Sequence, residues 1–454
     1  MFDVINPATG AKIRSLPQDS PAEIAAKARA ARAARPAWTA LGLQARLAIL
    51  GKFRRLVAER GERLTNILTA EVGKPIAQSR NELEGLLRRL DFFLEAAPAA
   101  LAHENVHSEA GLVEGISREP LGVVANISAW NYPLFVGSNV FVPALLAGNS
   151  VLYKPSEFAS LTGLAVVGLL REAGVPQEVF VPVLGLGDAG AELLKQPLDG
   201  VFFTGSYATG LKVAEAASRG LVKMQLELGG KDPVYVRADV DVKTAAAGLA
   251  DGAFYNTGQS CCSVERLYVH ADIFEAFVEA FVAEVKAFRR GPVGDPATYW
   301  GAITRPAQLA VLEAQVADAL AKGARLLCGG KRLPGPGNWF EGTVLVDVDH
   351  RMALMRDESF GPLIGIQKVK DDEQALELMN DTEYGLTAGV YTRDAAVAGA
   401  LLARVNAGSV YFNCCDRVSP RLPWSGRGHS GLGSVLSKEG ILTFTRPKAW
   451  HLRA

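Results

Sequence analysis

Residues 122–155, GVVANISAWNYPLFVGSNVFVPALLAGNSVLYKP, decide the fold. The apolar run GVVANIS (122–128) leads through a short turn into a helix-like stretch near 134–147. A second apolar run, SVLYKP (150–155), follows at once. The unit then repeats. VFVPVLG (179–185), GVFFTGS (200–206) and MQLELGG (224–230) are separated by helix-like stretches near 160–173, 188–195 and 207–219. Strand, helix, strand in succession predicts a parallel sheet with helices on both faces. Such sheets take ligands at the carboxyl ends of their strands.

Downstream, a second alternating series begins near residue 231. It runs through DPVYV, RLYVH, RLLCGG, TVLVDV, LIGIQKV, AGVYT and GSVYFN, and predicts a second α/β unit. Upstream, residues 1 to about 100 read as mostly helical. Ser20-Pro21-Ala22-Glu23 combines a capping box with proline at the first helical position. Leu83, Leu86, Leu87, Leu90 and Leu94 fall at helical spacing and predict a core stripe. Two stretches have no core of their own: the extended segment GLVEGISREPL (111–121) and the extended, aromatic tail GILTFTRPKAWHLRA. A lone extended tail pairs with another domain or another subunit.

At 454 residues, nearly half of them apolar, the chain has room for two or three domains. Its 48 basic and 48 acidic residues argue against nucleic acid or an anionic membrane as the main partner. There is no apolar run long enough to span a bilayer, and MFDVINPATG has no signal pattern, so a cytoplasmic location is expected. Five cysteines, as two vicinal pairs and a singleton, make a poor disulfide framework and no metal set.

Several stretches carry chemistry. In FYNTGQSCCSVER (254–266) a Gly-Gln turn delivers Cys261 and Cys262, and a thiol attacks carbonyl carbon well. His270, at the end of RLYVH, is a remote candidate for its base. Glu227 sits in the apolar MQLELGG, where desolvation would raise its pKa toward that of a general base unless it is a paired structural residue. Asn131 in SAWNYP could donate to an oxyanion or serve as a turn residue. Gly185-Leu-Gly187-Asp-Ala-Gly190 matches the dinucleotide fingerprint in letters, but the next strand ends without the acid that the fingerprint requires. FTGS (203–206), continuing to Gly210, competes with it for a pyrophosphate. Lys154 and Glu157 could hold an adenosine ribose, or form a surface charge pair. Gly73-Lys74 is not a P-loop, because Leu occupies position 68.

The order Trp130-Asn131, Lys154 and Glu157, FTGS, LELGGK, NTGQSC and ESFGP (358–362), with 34 residues from Glu227 to Cys261, resembles the aldehyde dehydrogenase superfamily from about residue 4 to the end. The resemblance implies an α/β fold of two doubly wound parallel-sheet domains plus a small oligomerisation element. Residues 1–104 and 122–229 would bind NAD, with NADP possible; residues 230–435 would be catalytic. Residues 105–121 and 436–454 would join subunits into a homodimer or homotetramer. It implies Cys261 as nucleophile, Glu227 as the base for hydrolysis, and Asn131 with the Cys261 backbone N–H as oxyanion donors. Trp130, Lys154, Glu157, Gly205, Ser206, Gly210, Leu228, Glu358 and Phe360 would line the cofactor site. A carboxylate at Glu157 would repel a 2′-phosphate and favour NAD. No metal is implied. One departure stands out: the family's FGGxKxSGxGRE is here PWSGRGHSGLGS, which puts local contacts in doubt around Gly428.

The implied reaction is oxidation of an aldehyde to a carboxylic acid through a thioester. Relatives acting on succinate semialdehyde place arginines where this chain has Asn139 and Tyr255. Arg417 or Arg421 could substitute, with Tyr132, Phe135 and Trp424 forming an aromatic wall. The expectation is an uncharged or hydrophobic aldehyde. A semialdehyde dehydrogenase of succinate or CoA-acylating type and a non-enzymatic binding member are the alternatives. Glu227 argues against CoA acylation, and retention of both Cys261 and Glu227 argues against loss of activity.

Overall fold

The computed structural model describes residues 1–415 and 417–453. Asp416, in the predicted catalytic region, and Ala454, the last residue of the tail, lie outside it. The strands of residues 122–230 build one sheet. Lys223–Glu227, Gly200–Thr204, Val123–Ile127, Ser150–Lys154 and Phe180–Pro182 lie side by side in that order, all parallel. The two-residue strand Gly431–Leu432 adds to the outer edge of Lys223–Glu227, antiparallel. From Val123–Ile127 the chain steps outward to Ser150–Lys154 and Phe180–Pro182. It then returns to Gly200–Thr204 on the other side. The strand order therefore reverses at the carboxyl end of Val123–Ile127, which opens a crevice there.

Val123, Val124, Ala125, Val151 and Leu152 are fully buried, as strands covered on both faces require. One covering helix, Pro133–Ala147, is buried along its whole length from Val136 onward, and its near-continuous apolar sequence is the cause. The helices Pro21–Ala40, Gly42–Glu59, Gly61–Val72 and Ile76–Ala100 precede the sheet. The predicted capping box is present: Ser20 Oγ accepts from Glu23 N–H at 3.3 Å, and the Glu23 carboxylate accepts from Ser20 N–H at 2.7 Å. Leu86 and Leu90 are buried, with Leu83, Leu87 and Leu94 packed beside them. Each fully buried leucine contributes about 1.5–3 kcal/mol.

The second series forms a seven-stranded sheet from the seven predicted runs. Its order is Arg325–Cys328, Thr343–Val346, Leu363–Val369, Val264–His270, Asp232–Val236, Thr387–Tyr391 and Ser409–Phe412, with only the first strand antiparallel. Thr445–Arg453 pairs with Leu112–Pro120, which pairs with Glu104–Glu109, in a three-stranded antiparallel sheet. The tail becomes extended later than the sequence suggested, because Ser437–Leu442 is helical and buries Ile441 in the main core. Among the described residues no helix is long and apolar enough to cross a membrane.

Candidate active site

Cys261 sits on a loop between the helix Val242–Phe254 and the strand Val264–His270. Three successive residues, Asn256, Thr257 and Gly258, have positive φ. At Gly258 a side chain would also collide with the carbonyl of Gly361, so glycine is required twice over. Gln259 pins the turn: its amide donates to the carbonyls of Asn256 and Ala302, both at 3.1 Å, and its carbonyl oxygen accepts from Thr304 N–H at 2.9 Å. Thr257 Oγ1 accepts from Gly301 N–H at 2.8 Å. The Gly-Gln signature is thus a rigid mount for the cysteine that follows it.

Glu227 ends its strand beside that mount, with Cys261 Sγ donating to Oε1 across 3.7 Å. The same oxygen accepts from Trp424 Nε1 at 2.7 Å. Burial raises Glu227 to about 7, against the lowering pull of the Trp424 and Cys261 hydrogen bonds and of the Arg89 charge. For Cys261 the hydrogen bond with Cys262 acts downward. Burial and the negative charge of Glu227 act upward and prevail, bringing the thiol to about 11. At neutral pH the pair therefore comprises a protonated thiol and a carboxylate near its midpoint. His270 is not part of it. It closes the strand Val264–His270 at the far end, about 20 Å along at the usual strand rise.

Asn131 is buried against the cysteine loop. Its Nδ2 donates to Gln259 O at 3.1 Å, and its own carbonyl accepts from Lys74 Nζ at 2.7 Å and Asn256 Nδ2 at 3.3 Å. Lys74 is fully buried, ion-paired with Glu82 and 3.7 Å above the Tyr132 ring. Glu82 also accepts from Leu134 N–H at 2.9 Å and so anchors the first turn of Pro133–Ala147. Lys74, discounted as a P-loop residue, is a strut for the Asn131 turn.

Two cavities flank this centre. The first, of about 540 Å³, fills the crevice at the strand reversal and is lined by Trp130, Lys154, Glu157, Gly205 and Ser206. The helix Tyr207–Ser218 opens on it with no side-chain cap and no acid in its first turn, which leaves backbone N–H groups for an anion. Burial lowers Lys154, while the charges of Glu157 and Asp188 oppose this. An anion-binding helix end at one part of the crevice and a carboxylate at another suit a dinucleotide's pyrophosphate and ribose hydroxyls. Gly187 and Gly190 also line the crevice, although the helix Gly187–Leu193 has only two turns.

Four predicted cofactor residues stand behind this lining. Gly210 packs on Leu228, where a Cβ would come 2.7 Å from a Leu228 methyl. Glu358 folds onto Gly229-Gly230 and accepts from Gly230 N–H at 3.0 Å; burial and the neighbouring Glu265 raise it to about 8. Phe360 meets Trp130 edge-on at 5.5 Å. The buried Glu265, unremarked in the sequence, holds the ESFGP turn by accepting from Ser359 N–H at 2.8 Å and Phe360 N–H at 2.9 Å, while Lys231 Nζ pairs with it at 2.6 Å. The segment around Gly428 is tied into two neighbouring strands. Tyr384–Gly385 pairs with Arg427–Gly428, and Ser430 O accepts from Leu228 N–H at 3.1 Å.

The second cavity, of about 450 Å³, contains Cys261 and Glu227 and is walled by Tyr132, Phe135 and Trp424. Tyr132 and Phe135 stack at 5.7 Å. Asn139, Tyr255 and Arg417 line it too; Arg421 is not among the lining residues. Arg89 also lines it, a buried cation that the leucine stripe concealed. The available signal was Glu82 and Arg89 on the same helical face as Leu86 and Leu90.

The aldehyde dehydrogenase family matches residues 1–450. The succinate-semialdehyde dehydrogenase [NADP(+)] of Deinococcus radiodurans is 34% identical over 448 residues, 98% of this chain and 94% of that protein. A betaine aldehyde dehydrogenase of Cereibacter sphaeroides is 35% identical over 451 residues, covering 99% and 93%. PnpE from Pseudomonas sp. WBC-3, solved also in complex with nicotinamide adenine dinucleotide, superposes with a TM-score of 0.96 at 34% identity, covering 100% of this chain and 94% of its own. With the family matched over residues 1–450 and a frame shared over its whole length, the chain belongs to the aldehyde dehydrogenase family.

Proposed function

We propose that Cys261 is the nucleophile and Glu227 the general base in the oxidation of an aldehyde to its carboxylic acid. Membership of the family makes the chain an NAD(P)-dependent aldehyde dehydrogenase. The residue roles rest chiefly on one observation. A thiol donates to a carboxylate that burial holds near pH 7, inside a cavity large enough for a small substrate.

Glu227 draws the proton from the Cys261 thiol as the sulfur adds to the carbonyl carbon. The oxyanion that forms receives the Asn131 amide and the Cys261 backbone N–H, both held in place by the Gln259 and Lys74 contacts. The nicotinamide, when bound, supplies the hydride acceptor that leaves a thioester on Cys261. Once Glu227 has passed the thiol proton to solvent, it takes a proton from the water attacking the thioester; the acid departs, and the Cys261 thiolate left behind recovers that proton. A base at Glu227 favours water over CoA as acceptor. Lys154 and Glu157 would hold the adenosine ribose, and Gly205 and Ser206 the pyrophosphate, with Gly210, Leu228, Glu358, Phe360 and Trp130 shaping the crevice. We assign the cofactor to residues 1–104 and 122–229, catalysis to 230–435, and subunit contact to 105–121 with 436–454, in a homodimer or homotetramer. The exposed Val106, Val113 and Leu452 of the three-stranded sheet support that contact. A cytoplasmic location agrees with the reading.

The test is NADH absorbance with a panel of aldehydes, with and without CoA, for the native protein, Cys261→Ala and Glu227→Gln. CoA-independent turnover abolished by Cys261→Ala, with Glu227→Gln arrested after one equivalent of NADH, is expected. Turnover only with CoA, or full activity of Cys261→Ala, would sink the assignment.

A further inference from the structure

Arg89 is 4% exposed, yet among the described residues no carboxylate lies within hydrogen-bond reach of it. Its Nε donates to Asn139 Oδ1 at 3.1 Å and its Nη1 to Gly85 O at 3.2 Å, while the guanidinium lies 3.8 Å over the Phe135 ring. Its Nη2 makes no hydrogen bond among the described residues. Burial lowers Arg89 to about 10, and the charges of Glu82 and Glu227 resist this only from a distance. Glu82 is already committed to Lys74 and Glu227 to Trp424 and Cys261. A cation held in a mostly buried setting with one edge facing the cavity is poised to pair with an anion there.

Arg89 lines the same 450 Å³ cavity as Cys261. Phe135 below and Asn139 beside it hold the guanidinium in one orientation, so little entropy is lost on forming a second pair. Arg88, which pairs with Glu84 at 3.9 Å, and Arg417 also line the cavity. Among the described residues, the acids lining the cavity other than Glu227 are occupied: Glu82 by Lys74, and Asp251 by the Tyr299 hydroxyl at 2.9 Å. We propose that Arg89 is the specificity residue of this site and that the substrate is a short aldehyde bearing a carboxylate, which pairs with the free edge of Arg89 while its carbonyl meets Cys261. The planar monoanion suits one guanidinium edge, and the small cavity keeps its two ends close. This rests on the aldehyde-oxidising reading above and replaces the expectation of an uncharged substrate. It also places the anion contact on the helix Ile76–Ala100, not at positions 139 and 255.

The experiment measures kcat and KM for 4-oxobutanoate and for its methyl ester, with butanal as a third substrate, on the full-length protein, Arg89→Gln and Arg89→Lys. A charge-assisted pair makes the native kcat/KM ratio of acid over ester about ten- to a hundredfold. In Arg89→Gln that ratio falls to about one, chiefly through KM, and in Arg89→Lys it lies between. Independently of turnover, quenching of tryptophan fluorescence by 4-oxobutanoate in Cys261→Ala weakens by a similar factor when Arg89→Gln is added. A native ratio of one or less overturns the proposal. So does an equal loss on acid and ester with a displaced pH profile, which would make Arg89 a support for Glu227. Turnover of butanal without 4-oxobutanoate sinks this inference alone. No turnover of any aldehyde sinks it together with the function on which it rests.

Discussion

The replacement Trp424→Phe isolates the hydrogen bond that tunes the proposed base. Phenylalanine keeps an aromatic wall in the cavity but removes the indole N–H that donates to Glu227 Oε1 at 2.7 Å. That bond favours the ionised carboxylate, so its loss raises the pKa. A hydrogen bond to a charged group is worth about 1.5–3 kcal/mol, or about one to two pKa units at 1.36 kcal/mol each. Glu227 should therefore move from about 7 to about 8–9. At pH 7 its ionised fraction drops from about one half to about a tenth or a hundredth, so hydrolysis slows about five- to fiftyfold and recovers above pH 9. The assay is kcat against pH from 5.5 to 9.5 for both proteins, with the first-turnover burst recorded alongside. An unchanged midpoint, or one displaced to lower pH, would refute the assignment of Glu227 as the titrating base.

Glu227→Gln should cut steady turnover by about 10²–10⁴-fold, while the burst keeps its amplitude of one NADH but forms more slowly, measured by stopped-flow absorbance. The same replacement affects stability. A carboxyl raised in the fold to about 7 stabilises fully below its unfolded value near 4.5 and loses that contribution as pH rises through 7, about 3 kcal/mol in all. Thermal unfolding at pH 6 and pH 8.5 should show a smaller alkaline loss in Glu227→Gln than in the native protein; equal losses would count against a buried, titrating Glu227. Lys74→Met strands Glu82 without its partner and should cost about 3–5 kcal/mol in urea unfolding. Gly258→Ala combines a left-handed backbone at about 1–2 kcal/mol with a clash against Gly361, and should lower both the unfolding midpoint and the burst amplitude.

Much of the molecule is legible in local sequence because the deciding interactions are local. The apolar runs between 122 and 230 have no partner-independent alternative to buried strands, and the order of runs and helices sets a parallel sheet. Asn256 and Gln259 bond to each other and three residues in a row take positive φ, so the signature NTGQSC carries part of its own geometry, while Ala302, Thr304 and Gly301 pin it from elsewhere in the chain. Glu227 announces itself as a carboxylate in an apolar strand. Helix periodicity, by contrast, marks a buried face without saying what a charge on that face meets. Glu82 and Arg89 share a face with Leu86 and Leu90, and only the neighbours contributed by other elements distinguish their roles.

The sequence by itself determined the two alternating α/β units, the thiol, its carboxylate partner and the family. Tertiary structure alone decided how those groups are tuned and what they face. Trp424 reaches Glu227 from 197 residues away, Lys74 braces Asn131 across 57, and Asn139 fixes Arg89 across 50. The physical reason is that desolvation and hydrogen bonding to a buried charge depend on every element packed around it. Those neighbours are brought together by the fold of the whole chain, not by adjacency within it.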